Sequence, residues 1–447
     1  MISHRSIFLA SLAAALLAGC GTPSYEKQAR DGVAAVARNF RPTDRPVALP
    51  VLAEDSPAGD YLRFALLKHP RVEAAFYEWR ASVEAITPAR SQPDPQLSFE
   101  ADITDMVMTA MPGFMFDFMG RGKRAAMGRE AAAASAVAYR DYVTVVLNTA
   151  TAVRKAWVEL DYAGEAIALR RQSAALLEQA AGMAQADYVT GRGMASLEKQ
   201  TNILNESAKL KLALATLEDR RDATRARFKA ALGLRREEAD PAWPAQPFPS
   251  APPAGGEALW RQLSAANPQV ASMRAMVDMA VAAVVVARRS GSPDFTAGLM
   301  ADVKASPLML RPTATMTLPI WRDKIAAVIA SADARRLAAE ARLNAEQIAM
   351  SAELAQMLFM VREADRMIAY IDGAALPSIQ RALASAGGGY EAGMGDFATL
   401  AGMRLMELDM RLERAGARRE RESALADLSL LVAGDVPADG LLITSSK

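Results

Sequence analysis

The chain has 447 residues, a formal net charge of +1, 51% hydrophobic residues and only 6% aromatic ones. So balanced a charge gives no electrostatic case for a nucleic-acid partner. One cysteine excludes a disulfide framework or thiolate cluster, and two histidines exclude a His-rich metal site, so no cofactor is expected.

His4 and Arg5 precede an apolar run, Ile7 to Ala18, too short to span a bilayer as a mature helix. It ends in Leu17-Ala18-Gly19-Cys20, the lipobox pattern. Residues 1–19 are therefore expected to be a lipoprotein signal peptide, with Cys20 acylated and held in outer-membrane lipid. Gly21, not Asp, follows the cysteine, which under the usual bacterial sorting rule favours the outer membrane. An ordinary cleaved signal with an incidental cysteine is the alternative. Residues 20–54 read as an extended tether. No other stretch reaches eighteen unbroken apolar residues, so a mature chain that crosses a membrane must do so as a β-barrel.

From residue 55 the chain is written twice. His69-Pro70-Arg71-Val72 in residues 55–236 answers Asn267-Pro268-Gln269-Val270 in residues 257–434. Pro93-Asp94 answers Pro293-Asp294, Lys123 answers Lys324, and Tyr188 answers Tyr390, at offsets between 198 and 202 residues. A period so long is not a solenoid repeat but two copies of one large unit.

Each unit opens with helical periodicity. Leu62, Ala65, Leu66, Ala74, Phe76 and Val83 recur at helical spacing, interrupted at His69-Pro70. Beyond Pro93 and Pro95 the pattern becomes strict alternation, with Leu97, Phe99, Ala101 and Ile103 against Ser98, Glu100, Asp102 and Thr104. Pro112-Gly113 is expected to turn the chain into a second strand through Phe114, Phe116 and Phe118, giving a hairpin at about 96–119. The second unit repeats this at 295–319, around Ser306-Pro307. Strands of this length suit a tilted transmembrane crossing. Four cannot close a barrel, and lipid tolerates no open edge, so the chain must oligomerise. Three copies would supply twelve strands.

A proline-free run of 66 residues follows, Gly122 to Asp187, about 100 Å as a helix. Its second copy, Trp321 to Gly389, contains Pro377 as an expected kink. Helices of such length suggest coiled-coil packing. Glycine-bearing turns at 188–196 and 390–399 lead into return helices. Residues 237–256 form a Pro-rich linker, and residues 435–447 a tail.

With these features the chain resembles the outer-membrane efflux protein family, the TolC-like outer-membrane factors, over about residues 55–434. The most specific pieces are Asn267-Pro268-x-Val270, Leu376-Pro377-Ser378-Ile379 and Tyr390-Glu391-Ala392-Gly393-Met394-Gly395-Asp396-Phe397. The lipobox is common in the branch serving RND pumps, and Gly122-Lys123-Arg124 looks like the CusC- and CzcC-like heavy-metal branch. The resemblance implies a homotrimer with one β-barrel in the outer membrane and one α-helical periplasmic tunnel. The fold class expected is thus mainly α with a β-barrel portion. It also implies that the two turns meet a periplasmic membrane-fusion adaptor coupled to an inner-membrane pump. The contacts would fall at Thr190, Gly191, Arg192, Gly193, Met194, Gly393, Met394, Gly395 and Asp396. Family members often carry an acidic gate inside the tip. Here only Asp396 stands at that place, either in a ring of three or as a plain helix cap.

Two further signals stand near the first hairpin. Gly120-Arg121-Gly122-Lys123-Arg124 lacks the spacing of a phosphate loop and reads as an interfacial anchor near lipid headgroups. Methionine is foremost an apolar filler at lipid-facing positions, and Met106, Met108 and Met111 are secondarily candidate soft ligands for Cu(I) or Ag(I). The function expected is a passive exit duct for metal ions or drugs, not an enzyme. The alternatives are a lipid-tethered periplasmic coiled-coil scaffold or a duct for type I protein secretion. A secreted enzyme would need a carboxylate pair that the chain does not display.

Overall fold

The computed structural model describes residues 22–41, 47–104, 107–190, 197–248, 256–302, 308–392, 394 and 397–432. The duplication is visible element by element. Helix α2 (Ala58–Lys68) corresponds to α7 (Gly256–Ala266), and α3 (Pro70–Glu84) with the short α4 (Ile86–Arg90) corresponds to α8 (Pro268–Arg289). The break between them is the same device twice. His69 Nδ1 accepts from Arg71 N at 3.1 Å, Asn267 Oδ1 accepts from Val270 N at 2.9 Å, and a proline holds the first helical position in each.

Residues 24–40, within the expected tether, instead form a helix, α1 (Ser24–Phe40). Ala29, Val33, Val36, Ala37 and Phe40 make a stripe at helical spacing that packs on Phe76, Trp79, Tyr142 and Val143. The helix is pinned at both ends. Buried Glu26 accepts from Thr87 Oγ1 at 2.6 Å and from Arg30 Nε at 3.2 Å, and pairs with Arg90. At the other end, Arg41 donates to the last carbonyls of α2, Leu67 O at 2.7 Å and Leu66 O at 3.2 Å.

Four strands, β1 (Gln96–Thr104), β2 (Val107–Phe118), β3 (Phe295–Asp302) and β4 (Met309–Met316), form one antiparallel sheet in the order β1-β2-β3-β4. Pro112-Gly113 is not the hairpin turn. Both residues lie inside β2, opposite Phe99 and Ser98, and the chain reverses between Thr104 and Val107, which face each other. Pro112 is tolerated there because the pairing of β2 with β3 reaches only to Gly113, leaving Pro112 beyond the end of that ladder. Its counterpart Pro312 sits on β4, at the sheet edge.

The long helices follow each hairpin. α5 (Lys123–Thr190) has 68 residues and returns as α6 (Leu197–Ala231). The second copy runs as α9 (Arg322–Tyr370), a π-helical turn (Ile371–Ala375) and α10 (Leu376–Glu391), and returns as α11 (Phe397–Val432). The π turn directly precedes Pro377, whose missing N–H and ring disrupt the α-helical ladder at that point. α6 packs on α5, α5 on α11, and α11 on α9 and α10, so this layer too has two open edges, α6 and α9.

Besides the core under α1, two further cores among the described residues hold the layers. Tyr61, Trp157 and Phe228 join α2, α5 and α6, with the Tyr61 and Trp157 rings edge to face at 4.9 Å. The Pro-rich linker lies on this core, accepting from Tyr61 OH (Ala242 O, 2.9 Å) and from Trp157 Nε1 (Gln246 O, 2.8 Å). Leu263, Val270, Leu354 and Leu428 make the equivalent core of the second unit. The span of α7 and α8, Gly256–Arg289, is apolar and long enough to cross a bilayer by composition. It is split by the Asn267-Pro268 cap, and α8 packs against α5 and α9 as a core helix.

Candidate functional site

The sheet has two unlike faces. Pairing places Leu97, Phe114, Leu299 and Pro312 side by side, and Phe116, Ala297 and Ala314 in the next row. Phe118, Phe295 and Met316 complete a face that is apolar at every one of these positions. These side chains are largely exposed in the single chain. The other face carries Gln96, Ser98, Glu100, Asp117, Thr296, Asp302, Arg311, Thr313 and Thr315. Apolar outside and polar inside is the alternation of a transmembrane barrel wall.

Methionines sit on that polar face. Met111 and Met300 are buried there, and Met115 is half-buried. Small residues make the room: a Cβ at Gly113 would lie 2.7 Å from Met300 Cγ, and one at Gly298 would lie 3.0 Å from Met115 Cγ. Of the expected soft ligands, Met111 thus lies on the inner face, Met108 is in β2 opposite Ile103, and Met106 is outside the described residues.

Where sheet meets helices, three residues from both units converge. Lys123 Nζ contacts both carboxylate oxygens of Asp294, at 2.9 and 2.8 Å, and Gly120 N donates to Asp294 Oδ1 at 2.7 Å. Burial alone would raise the Asp294 pKa; the Lys123 and Gly120 donors outweigh it and hold the carboxyl below its ordinary value. Gly122 takes a φ of +79° as the chain turns into α5. Lys123, expected as a lipid-headgroup anchor, is committed to Asp294, and Arg124 donates to Gln92 Oε1 at 3.2 Å. Lys123 and Asp294 stand 171 residues apart, and each could be read in the sequence only as part of the repeat.

At the far end of the helices, Thr190 closes α5. Gly191, Arg192, Gly193 and Met194, together with Gly393, Gly395, Asp396 and the lipobox Cys20, lie outside the described residues. Met394 is 85% exposed and its N donates to Gly389 O at 2.9 Å, and Tyr390 packs against Phe397 across the turn at 6.0 Å. Met394 therefore presents its thioether to solvent. Among the described residues no three His, Cys, Asp or Glu side chains converge.

This fold of two β-hairpins and two long helical hairpins per chain is that of outer-membrane channel subunits. VceC of Vibrio cholerae matches with a TM-score of 0.69 at 16% identity, over 85% of this chain and 96% of that one. The open-state MtrE outer membrane channel of Neisseria gonorrhoeae matches with a TM-score of 0.71 at 16% identity, over 86% and 91%. CusC matches with a TM-score of 0.70 at 14% identity, over 86% and 94%. No curated protein matches the chain by sequence. Residues 259–434, most of the second unit, match the family model described as outer membrane efflux protein. The family model thus covers the second unit, and the fold of the whole chain is shared with these solved outer-membrane channels. The near-equal structural scores do not separate a heavy-metal subtype from the other branches.

Proposed function

We propose that the chain is the outer-membrane channel subunit of a tripartite efflux system, a passive duct assembled from three copies. The observation that carries this reading is the sheet: one face wholly apolar, one polar, both edges unpaired, and each hairpin continuous with a helix long enough to reach deep into the periplasm. Cys20 adds a lipid anchor. The tip turns at 188–196 and 390–399 receive a periplasmic adaptor, which couples the duct to an inner-membrane pump of RND type exporting metal ions or drugs. The duct performs no chemistry, and its opening is a movement of the tip helices favoured by the adaptor's stronger binding to the open state.

The experiment is single-channel conductance of detergent-extracted protein in a planar bilayer, alone and with the Gly393–Asp396 turn loosened by substitution. Discrete openings are expected, at least from the loosened form. Silence from both, with a protein that stays soluble without detergent, would overturn the duct in favour of a lipid-tethered scaffold.

A further inference from the structure

The polar face of the sheet carries side chains that a barrel wall does not need. At lipid-facing positions methionine is simply apolar cover. The register puts Met111, Met115 and Met300 on the opposite face, among Gln96, Ser98, Glu100 and Thr313. There they stand where alternation would supply polar residues. Two of them are buried even in the single chain, Met111 at 5% and Met300 at 8% exposure.

Glycines bring the three together. Gly113 in β2 pairs with Met300 in β3, and Met115 in β2 pairs with Gly298 in β3. A first side-chain carbon at Gly113 would lie 2.7 Å from Met300 Cγ, so Met300 fills the place of the side chain that residue 113 lacks. On β2 that place lies between Met111 and Met115, each two residues away on the same face and about 6.6 Å along the strand. Met115 leans reciprocally over Gly298, whose missing carbon would lie 3.0 Å from Met115 Cγ. Three thioethers thus follow one another along the β2–β3 seam, each on three rotatable bonds that let its sulfur turn towards a shared ion. Each glycine also admits a hydroxyl, Ser98 Oγ at 3.0 Å from the Gly113 carbon position and Thr313 Oγ1 at 2.7 Å from that of Gly298. Both oxygens are buried without a hydrogen-bond partner, which costs stability, and a cation seated here would meet their lone pairs. The nearby charges suit it. Exposed Glu100 stands opposite Met111, whereas Arg311, opposite Met300, is answered by Asp302 at 3.7 Å.

We infer that Met111, Met300 and Met115 hold a soft monovalent cation, Cu(I) or Ag(I), on the polar face of the sheet. Thioether sulfur is neutral and polarizable, and it prefers such ions to hard dications. Among the described residues no three His, Cys, Asp or Glu side chains converge, so none of them offers a competing site for zinc or nickel. A thioether binds without losing a proton. Uptake should therefore be constant between about pH 5 and 8, where imidazole and thiolate sites lose affinity to acid. The site's place on the inner wall, in the path of exported ions, rests on the duct proposed above. The contacts themselves lie within one chain.

The test is Ag(I) binding, with silver nitrate added to detergent-purified full-length protein in chloride-free buffer and read by equilibrium dialysis. One ion per chain is expected, with a sulfur-dominated shell in X-ray absorption and the same affinity from about pH 5 to 8. Met111→Leu, Met300→Leu and Met115→Leu conserve volume and should keep the parent's unfolding temperature in detergent. Each should weaken binding about tenfold or more. Met394→Leu, at the exposed tip, should leave it unchanged. Single-channel conductance is recorded on the same preparation. A conducting protein that binds no Ag(I), or whose triple leucine variant still binds it, overturns the site and leaves the duct standing. Binding that falls away with acid would assign the ion to a thiol or imidazole and overturn the thioether site. A protein that binds Ag(I) through these methionines but never conducts upholds the site and overturns its place on a duct wall.

Discussion

At Gly120 a first side-chain carbon would lie 2.5 Å from Pro293 O, a backbone atom with no freedom to retreat. That closeness is what lets Gly120 N reach Asp294. Gly120→Ala is therefore expected to break the junction and cost about 2 kcal/mol, read as earlier unfolding in detergent. Lys123→Met should act through the same carboxylate and add little on top of Gly120→Ala. Glu26 carries a pH dependence of its own. Burial works against its charge, yet donors from Arg90, Thr87 and Arg30 hold its pKa at about 2 instead of 4.5. A carboxylate with a depressed folded-state pKa stabilises fully above its unfolded value, so the contribution should be lost as pH falls from about 4.5 towards 2. Hydrogen exchange across α1 should accelerate in that window, and Glu26→Gln should bring the acceleration to neutral pH and remove its dependence on acid.

The elements show which of these features a sequence displays. Alternation over Leu97–Thr104 and the proline-free stretch of α5 announce strand and helix because a single periodicity runs through each, and both appear as expected. Pro112-Gly113 misleads because the pair has the chemistry of a turn; its place inside β2 depends on where the pairing with β3 ends, which is a tertiary fact. α1 is hidden for a similar reason, since prolines flank it and its stripe finds meaning only against Trp79 and Tyr142. The two sheet faces were legible as alternation, but the inward place of Met111, Met115 and Met300 depends on register. That register makes a paired prediction. Phe114→Arg, on the apolar face, should cost about 2–4 kcal/mol and impair membrane assembly, whereas Met115→Arg, one residue on, should assemble and alter ion selectivity. Heat-resistant oligomer on gels and reversal potentials in bilayers check the two halves.

In the whole molecule, the two helical hairpins are fastened to each other by charge along α5 and α11. Lys155 meets Asp427 at 2.7 Å, Arg418 meets Asp161 and Glu165 at 2.9 and 2.7 Å, and Arg170 meets Asp409 at 2.7 Å. Going down α5, Arg170 is the last of these residues before the tip. Lys155 and the Arg418 pair lie nearer the buried aromatic core around Trp157, where the hairpins have other reasons to stay together. Beyond Arg170 the opposing helix ends beside Gly387, Gly388 and Gly389, which have little or nothing packed over them. A tip that opens by parting its helices would part them first at Arg170–Asp409. Because both side chains are partly exposed, the pair is worth at most about 1 kcal/mol per protomer. Asp409→Asn should therefore raise the open fraction of the channel by up to about fivefold per protomer without changing trimer stability. Lys155→Met, at the fixed end, should leave opening unchanged. Open probability in planar bilayers reads both variants, and equal responses would mean that the hairpins move as one rigid unit.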